Sequence, residues 1–442
     1  VRLTGAAACA FLAAWAYWPV MSHGFVNLED YWLILDNPRL RELGAANLRW
    51  MFTSLDYGTY QPLGWLSYAL IHRVQGYNPA AYHLASWLAH AACAALLCLV
   101  ASRVLRAASP EASELDLALA SAAAAAAWAL HPQRVEQVAW ATGLPDVLST
   151  LCYLAAILAY LGVREDRRRA AAAFLLFLAS SLFRWKGVGL PVVLVALDAL
   201  VLKRPLKRGV WLEKLPFLAL AALFAALNAR SKLLLAPGHA FDARWHTLAG
   251  PVFYLWKMLL PFHLTVDYWI PESAALAAAF LALSAAVLAP RRWRATAGAA
   301  WACFVAAILP SLLMSYRGLV VAHDRAAYLP SMSLHVLLGG ALLALLRAGP
   351  ALRRTGLSAA AAALVLAAVF TRAQLPVWRD SVSLWLHVLD EPAPPDYAHL
   401  SLAQAWLERG DRKEAAAELR EQLRLYPGDR RVEALSRELE RR

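Results

Sequence analysis

A chain of 442 residues with 60% hydrophobic and 17% charged residues, and a mean hydropathy of +0.47, is too apolar to be two or three water-soluble domains. Lipid must be part of its solvent, and an all-α polytopic membrane protein is the expected class. The net charge of +12 would suggest nucleic acid on a soluble chain; on a membrane chain it first asks where the basic residues lie.

A bilayer crossing needs about 20 mostly apolar residues, because lipid offers no partner to backbone N–H and C=O groups. Eleven stretches qualify: 3–22, 79–102, 117–130, 146–163, 170–184, 187–202, 214–230, 273–290, 296–314, 326–346 and 355–371. The first lacks a convincing cleavage site and many spans follow, so it reads as a retained helix and not as a signal peptide. A twelfth stretch, 247–264, holds Lys257, His263 and two prolines, and is assigned to the outer interface. With a cytoplasmic N-terminus, the inner loops 103–116, 164–169, 203–213, 291–295 and 347–354 carry 16 basic residues in 44 positions. Basic residues concentrate on the cytoplasmic side, so this count fixes the orientation. Loops 23–78, 131–145, 185–186, 231–272 and 315–325, and everything after residue 371, then lie outside, as expected of a bacterial inner-membrane protein with a periplasmic or otherwise extracytoplasmic C-terminal domain. Seven of the 43 basic residues are Lys and the rest Arg, which fits a GC-rich bacterial genome. The five cysteines lie in apolar runs without CxxC or CxxH spacing, which argues against a disulfide framework or a zinc cluster.

From residue 372 the composition changes, and 372–442 reads as a helical domain after the 1–371 membrane domain. Residues 396–429 fit one 34-residue tetratricopeptide repeat. Leu402, Ala403 and Trp406 take the packing positions of its first helix, Gly410 the turn, Ala415, Leu419 and Leu423 the second helix, and Pro427 the end. A single repeat cannot bury its own face, so it must pack on Pro376–Leu389, the membrane domain or a partner protein. With 12 basic and 13 acidic residues over 372–442, it is no nucleic-acid arm.

The ionisable residues hardest to explain lie in the outer loops. Glu29 and Asp30, followed by Asn37, are adjacent carboxylates at a membrane interface; such a pair can deprotonate an acceptor hydroxyl or hold a divalent metal ion. The plain alternative is a helix cap with a solvated charge. A second group is His131, Glu136 and Asp146. Charges this close to lipid should face a cavity or each other, although an Arg134–Glu136 surface pair and a capping Asp146 would also account for them. A third group is Arg184 and Lys186 with His323, Asp324, Arg325 and Tyr328. Basic residues at outer helix ends run against the orientation bias and suit a lipid-linked phosphate; the alternative is snorkelling to headgroups. His83 and His90 share one helix face without a third ligand and suit packing or a buried hydrogen bond. Asp267 and Tyr268 suit an interfacial aromatic anchor or a cavity lining.

At these residues the chain resembles a known family: bacterial membrane proteins with C-terminal tetratricopeptide repeats, related to the animal transmembrane-and-tetratricopeptide-repeat protein O-mannosyltransferases of the GT-C glycosyltransferase superfamily. The matching segments are FVNLEDYWLILDNP (25–38), YQPLGWLSYAL (60–70), GYNPAAYHLASWLAHA (76–91), ALHPQRVEQVAWATGLPDVLSTL (129–151), GLPVVLVALDAL (189–200), EKLPFLALA (213–221), HDRAAYLP (323–330) and TRAQLPVWRDSVSLWLHVL (371–389). Glu29-Asp30 stands where the family has Asp-Asp, so the resemblance implies Asp30 as the catalytic base, with Glu29 assisting or binding metal. Of the family's charged run before the next helix only Asp146 remains, and the late Arg-Tyr is here Arg325-Ala326.

The resemblance implies sugar transfer, with mannose as the family's example, from a polyprenyl-phosphate donor to a hydroxyl on a protein or envelope glycan, with inversion. Asp30 would be the base, with Glu136 orienting acceptor or metal. Lys186, Arg325 and Arg184 would hold the phosphate, and Asn37, His131, Asp146, Tyr328 and Tyr268 would contact substrate. No cofactor is implied beyond a divalent metal ion. Two other readings remain open: a non-catalytic scaffold gathering envelope proteins through the repeat, and a translocase for lipid-linked sugars.

Overall fold

The computed structural model describes residues 1–166, 168–235, 244–270, 273–289, 294–313 and 321–441. The basic run at 291–293 and most of loop 315–325 lie outside the described residues. Among the described residues the fold is all-α apart from one antiparallel pair of two-residue strands, Tyr268–Trp269 with Val321–Ala322. Among the described residues six helices are long and apolar enough to cross a membrane. They are Arg2–Ser22, Pro79–Ala108, Ala141–Tyr160, Arg208–Leu235, Arg294–Leu313 and Pro350–Trp378. The chain is therefore a helical, multi-pass membrane protein.

The other five expected spans are helices too, but shorter. Glu114–Ala129, Arg168–Phe183 and Met332–Arg347 have 16 residues each, Ala274–Leu288 has 15 and Leu190–Leu200 has 11. At 1.5 Å per residue, 16 residues reach only about 24 Å of a hydrocarbon core about 30 Å thick. Local chemistry sets these ends. Ser113 caps the Glu114–Ala129 helix by accepting from the Asp116 N–H, and Ser273 caps Ala274–Leu288 by accepting from the Leu276 N–H. The chain enters several helices through Pro at the first turn, at Pro62, Pro79, Pro145 and Pro191, where a missing N–H costs nothing.

The stretch 247–264 overlaps the helix Arg244–Leu259, which packs against Ala274–Leu288 and Arg294–Leu313. Lys257 is buried, and its ammonium closes the helix end by donating to the Phe262 and His263 carbonyls at 2.9 and 2.8 Å. At the opposite end of the bundle, Asp198 accepts from Arg204 and Tyr160 at 3.0 and 2.8 Å and pairs with Lys214 at 2.6 Å. That buried network is structural. All five cysteines are free thiols.

Beyond the last long helix, Ser381–Leu389 packs on a hairpin of Ala398–Arg409 and Arg412–Leu425, followed by Arg430–Arg441. Gly410 turns the hairpin in the left-handed conformation, φ 86°, as its lack of a side chain permits. Trp385, Leu402 and Ala405 are buried in the same core as the bundle helices, while Ala403, Leu419 and Val432 form a small core of their own. The tail is thus joined to the bundle by continuous apolar packing.

Candidate active site

The segments 23–31, 136–146, 184–186, 264–270 and 323–328 meet at the end of the bundle that the tail covers. After the Trp18–Ser22 turn the chain brings Glu29 and Asp30 beneath the Trp140–Gly143 turn. Asp30 is fully buried. Its Oδ1 accepts the Thr142 backbone N–H at 2.9 Å and the Thr142 hydroxyl, and its Oδ2 accepts the Val26 N–H at 3.0 Å. The two Thr142 donors tie the first loop to the second. Burial lifts the Asp30 carboxyl to about 7 against the pull of those hydrogen bonds, and the neighbouring Glu29 adds a smaller push upward.

That shift has a consequence for stability. The folded chain keeps on Asp30 a proton that the unfolded chain releases near the ordinary value of 3.8. Its contribution therefore falls as pH rises from 3.8 to about 7 and is level above that. Melting curves across this window are expected to fall less steeply for Asp30→Asn than for the wild type; parallel curves would contradict the placement. The turn itself depends on Gly143, where a Cβ would lie 2.3 Å from the Gln137 carbonyl oxygen. Gly143→Ala should cost roughly 1–3 kcal/mol, read as a lower melting temperature.

Glu29 faces the other way. Its side chain is 32% exposed, and its Oε1 lies 3.7 Å from an Arg325 guanidinium nitrogen. Arg325 is held by Glu136, which accepts the Arg325 backbone N–H at 2.7 Å and pairs with its guanidinium through the other oxygen. The guanidinium sits 4.9 Å above the Trp140 ring. Asp146 pairs with both Arg184 and Lys186, each at 2.9 Å. Arg184 also donates to Thr59, at 3.3 Å, and to Gln61, so its donors are committed inside the protein and do not snorkel. Lys186 is more open, and with Asp146, Ser149, Thr150 and Arg325 it lines a cavity. Lys232, which the sequence did not single out, lies close enough to feel the charges of Lys186, Arg325 and Glu29. A basic residue at the end of an apolar helix was its only signal.

The chain is distantly similar to protein O-mannosyl-transferases. It is 30% identical over 165 residues to protein O-mannosyl-transferase Tmtc1 of Drosophila melanogaster, which covers 36% of this chain and 18% of the fly protein. It is 32% identical over 143 residues to human protein O-mannosyl-transferase TMTC2, covering 31% of this chain and 16% of the human protein. The match thus spans less than a fifth of either relative. No family model matches, and no solved structure matches.

Several expected substrate contacts serve the fold. Asn37 is buried and caps the next turn by accepting the Arg39 N–H at 3.0 Å. Both His131 ring nitrogens meet backbone, the Met258 carbonyl at 2.8 Å and the Gln133 N–H at 3.3 Å. The Tyr328 hydroxyl is bound to His90 at 2.7 Å and His83 meets the Gly24 carbonyl at 3.3 Å, and among the described residues neither histidine belongs to a group of three side chains that could hold a metal. Tyr268 is buried and donates to Asp324 at 2.8 Å, so it is no interfacial anchor. Asp324 also accepts from Gln133 at 3.1 Å, and burial, then the nearby Glu136, push its carboxyl above the usual range. It lines a second cavity with Glu136, Thr265, Trp378 and His387.

A divalent metal fits this site poorly. Among the described residues no three His, Cys, Asp or Glu side chains converge as ligands. Asp30 is turned into backbone donors while Glu29 looks toward Arg325, so the two carboxylates do not share a ligand position.

Proposed function

We propose that this protein is a membrane glycosyltransferase that moves a sugar from a polyprenyl-phosphate-linked donor to a hydroxyl acceptor, with inversion at the anomeric carbon. The observation that carries the proposal is an open carboxylate, Glu29, 3.7 Å from Arg325 beside a cavity that Arg325 and Lys186 line. A phosphate leaving group needs charge neutralisation more than a proton, so the chemistry calls for one base and nearby cations. Glu29 takes the acceptor proton as the hydroxyl oxygen bonds to the anomeric carbon. The bond from that carbon to the phosphate oxygen breaks, and the polyprenyl phosphate leaves with the electron pair, stabilised by Lys186 and Arg325. Glu136 and Trp140 orient Arg325, and Asp30 fixes the loop that carries Glu29. The base therefore moves from the residue the family pattern favours to its neighbour, because only Glu29 is open to an acceptor.

The similarity to protein O-mannosyl-transferases supports mannose as the sugar and a protein as the acceptor; an envelope glycan is the other hydroxyl acceptor that an outward-facing site would meet. The membrane arrangement that fits is eleven crossings in a bacterial inner membrane, with the site and tail outside and the hairpin a single tetratricopeptide repeat open to a protein partner. The test is transfer of labelled mannose from polyprenyl-phosphate-mannose to peptide or envelope acceptors by the purified protein in liposomes. A scaffold would transfer nothing, and a translocase would move the lipid across the bilayer without an acceptor.

A further inference from the structure

We infer that the C-terminal segment is a working part of the site, and that Asn27 is the positioning residue through which it sets Glu29. This rests on the proposed function. Asn27 spends its backbone N–H and its whole side chain on the tail. Its N–H donates to the Ser381 hydroxyl at 2.9 Å, its side-chain amide donates to the Ser401 carbonyl at 2.8 Å, and its Oδ1 accepts the Trp385 indole N–H at 2.6 Å. On the other side of the carboxylates, the Tyr31 hydroxyl donates to Glu408 at 2.7 Å. The tail therefore grips the chain two residues before Glu29 and two residues after it, from positions 354 to 377 residues away in sequence.

These links are sheltered. Trp385 is fully buried, and Asn27 and Ser381 are nearly so, which makes the hydrogen bonds hard for water to replace. From beneath, Thr142 and Val26 hold Asp30. Glu29 is thus suspended between a floor made by the bundle and a roof made by the tail. Its distance to Arg325 is a product of both. Lys186 is held by Asp146, and Arg325 is held by Glu136 and by Trp140, which packs on Trp378 of the tail. Cutting the Asn27 link leaves all of those contacts in place, so the base and the phosphate site should separate in kinetics.

The test uses Asn27→Ala in the full-length protein. The expected result is a kcat lower by about 100-fold, since misplacing a catalytic group by about 1 Å has that effect, with the donor KM changed less than about threefold. Amide exchange over residues 25–35 should rise while the rest of the chain keeps its protection. Trp385→Phe should shift both readouts in the same direction by less, and the double variant should be no worse than Asn27→Ala, because both remove one link. An unchanged kcat, or kcat, donor KM and melting temperature all failing together, would overturn the inference. Should Asn27→Ala not fold, Tyr31→Phe cuts the second link and is read in the same way. A wild type without transferase activity would end the proposed function, but exchange over 25–35 still decides the link: faster exchange in the variant supports it and unchanged exchange overturns it.

Discussion

Glu29→Gln is expected to abolish sugar transfer while leaving the protein folded. The amide has the shape of the acid and cannot take the acceptor proton, and loss of a general base costs about 10²–10⁴-fold in rate. Little stability should go with it. Glu29 is one-third exposed and meets Arg325 only at 3.7 Å, and pairs of that kind contribute about 0–1 kcal/mol. Arg325 keeps Glu136 as a closer partner, so no buried charge is stranded. Asp30→Asn is the matched comparison. It places amide hydrogens against the Val26 N–H or the Thr142 donors, loosens the loop, and should leave a measurable fraction of the rate. Single-turnover rates and melting temperatures of both variants decide the matter. If Asp30→Asn is as inactive as Glu29→Gln at an unchanged melting temperature, the base is Asp30.

The exchange of roles between these neighbours marks where sequence reasoning stops. Apolar runs and the density of basic residues identify a multi-pass helical protein, because lipid imposes those constraints on every crossing independently of the rest of the fold. The ionisable outer-loop residues converge as the charge argument expects: Glu29 and Glu136 pair with Arg325, Arg184 and Lys186 pair with Asp146, and the two sets border one cavity. Which carboxylate turns inward is decided by Thr142, 112 residues away, and no local pattern around residues 29 and 30 carries that information. The same holds for His131 and Tyr328. Each belongs to a polar motif, yet each finds its partner on a distant element, at Met258 and at His90. Helix boundaries were legible only approximately. The run 187–202 starts before its helix, because Trp185–Gly189 is a tighter turn and the α-helix begins at Leu190, whereas the runs 79–102 and 214–230 stop short of helices that continue to Ala108 and Leu235. The tail was legible as a helical hairpin from its spacing and from Gly410. Its grip on Asn27 was not, since an asparagine after the first span gives no sign of a tryptophan 358 residues later.

Arg184 and Lys186 share Asp146, and substituting each in turn should give opposite outcomes. Arg184→Gln removes a buried cation whose donors reach Asp146, Thr59 and Gln61, so three acceptors lose a partner at once. Breaking a buried ion pair of this kind costs about 3–5 kcal/mol, and the expected result is poor yield and a low melting temperature. Lys186→Gln leaves Asp146 still paired with Arg184 at 2.9 Å, so the fold should persist. What it takes away is the ammonium that faces the cavity, and a hydrogen bond to a charged group is worth about 1.5–3 kcal/mol, or about 10- to 150-fold in kcat/KM for the lipid-linked donor. Lys186→Arg keeps the charge on a different geometry and should recover part of that loss. Donor titration at fixed acceptor, with melting temperatures alongside, separates the cases. Unchanged donor use in Lys186→Gln, or an equal loss of stability in both variants, would make Lys186 a structural partner of Asp146 and leave Arg325 to meet the phosphate without it.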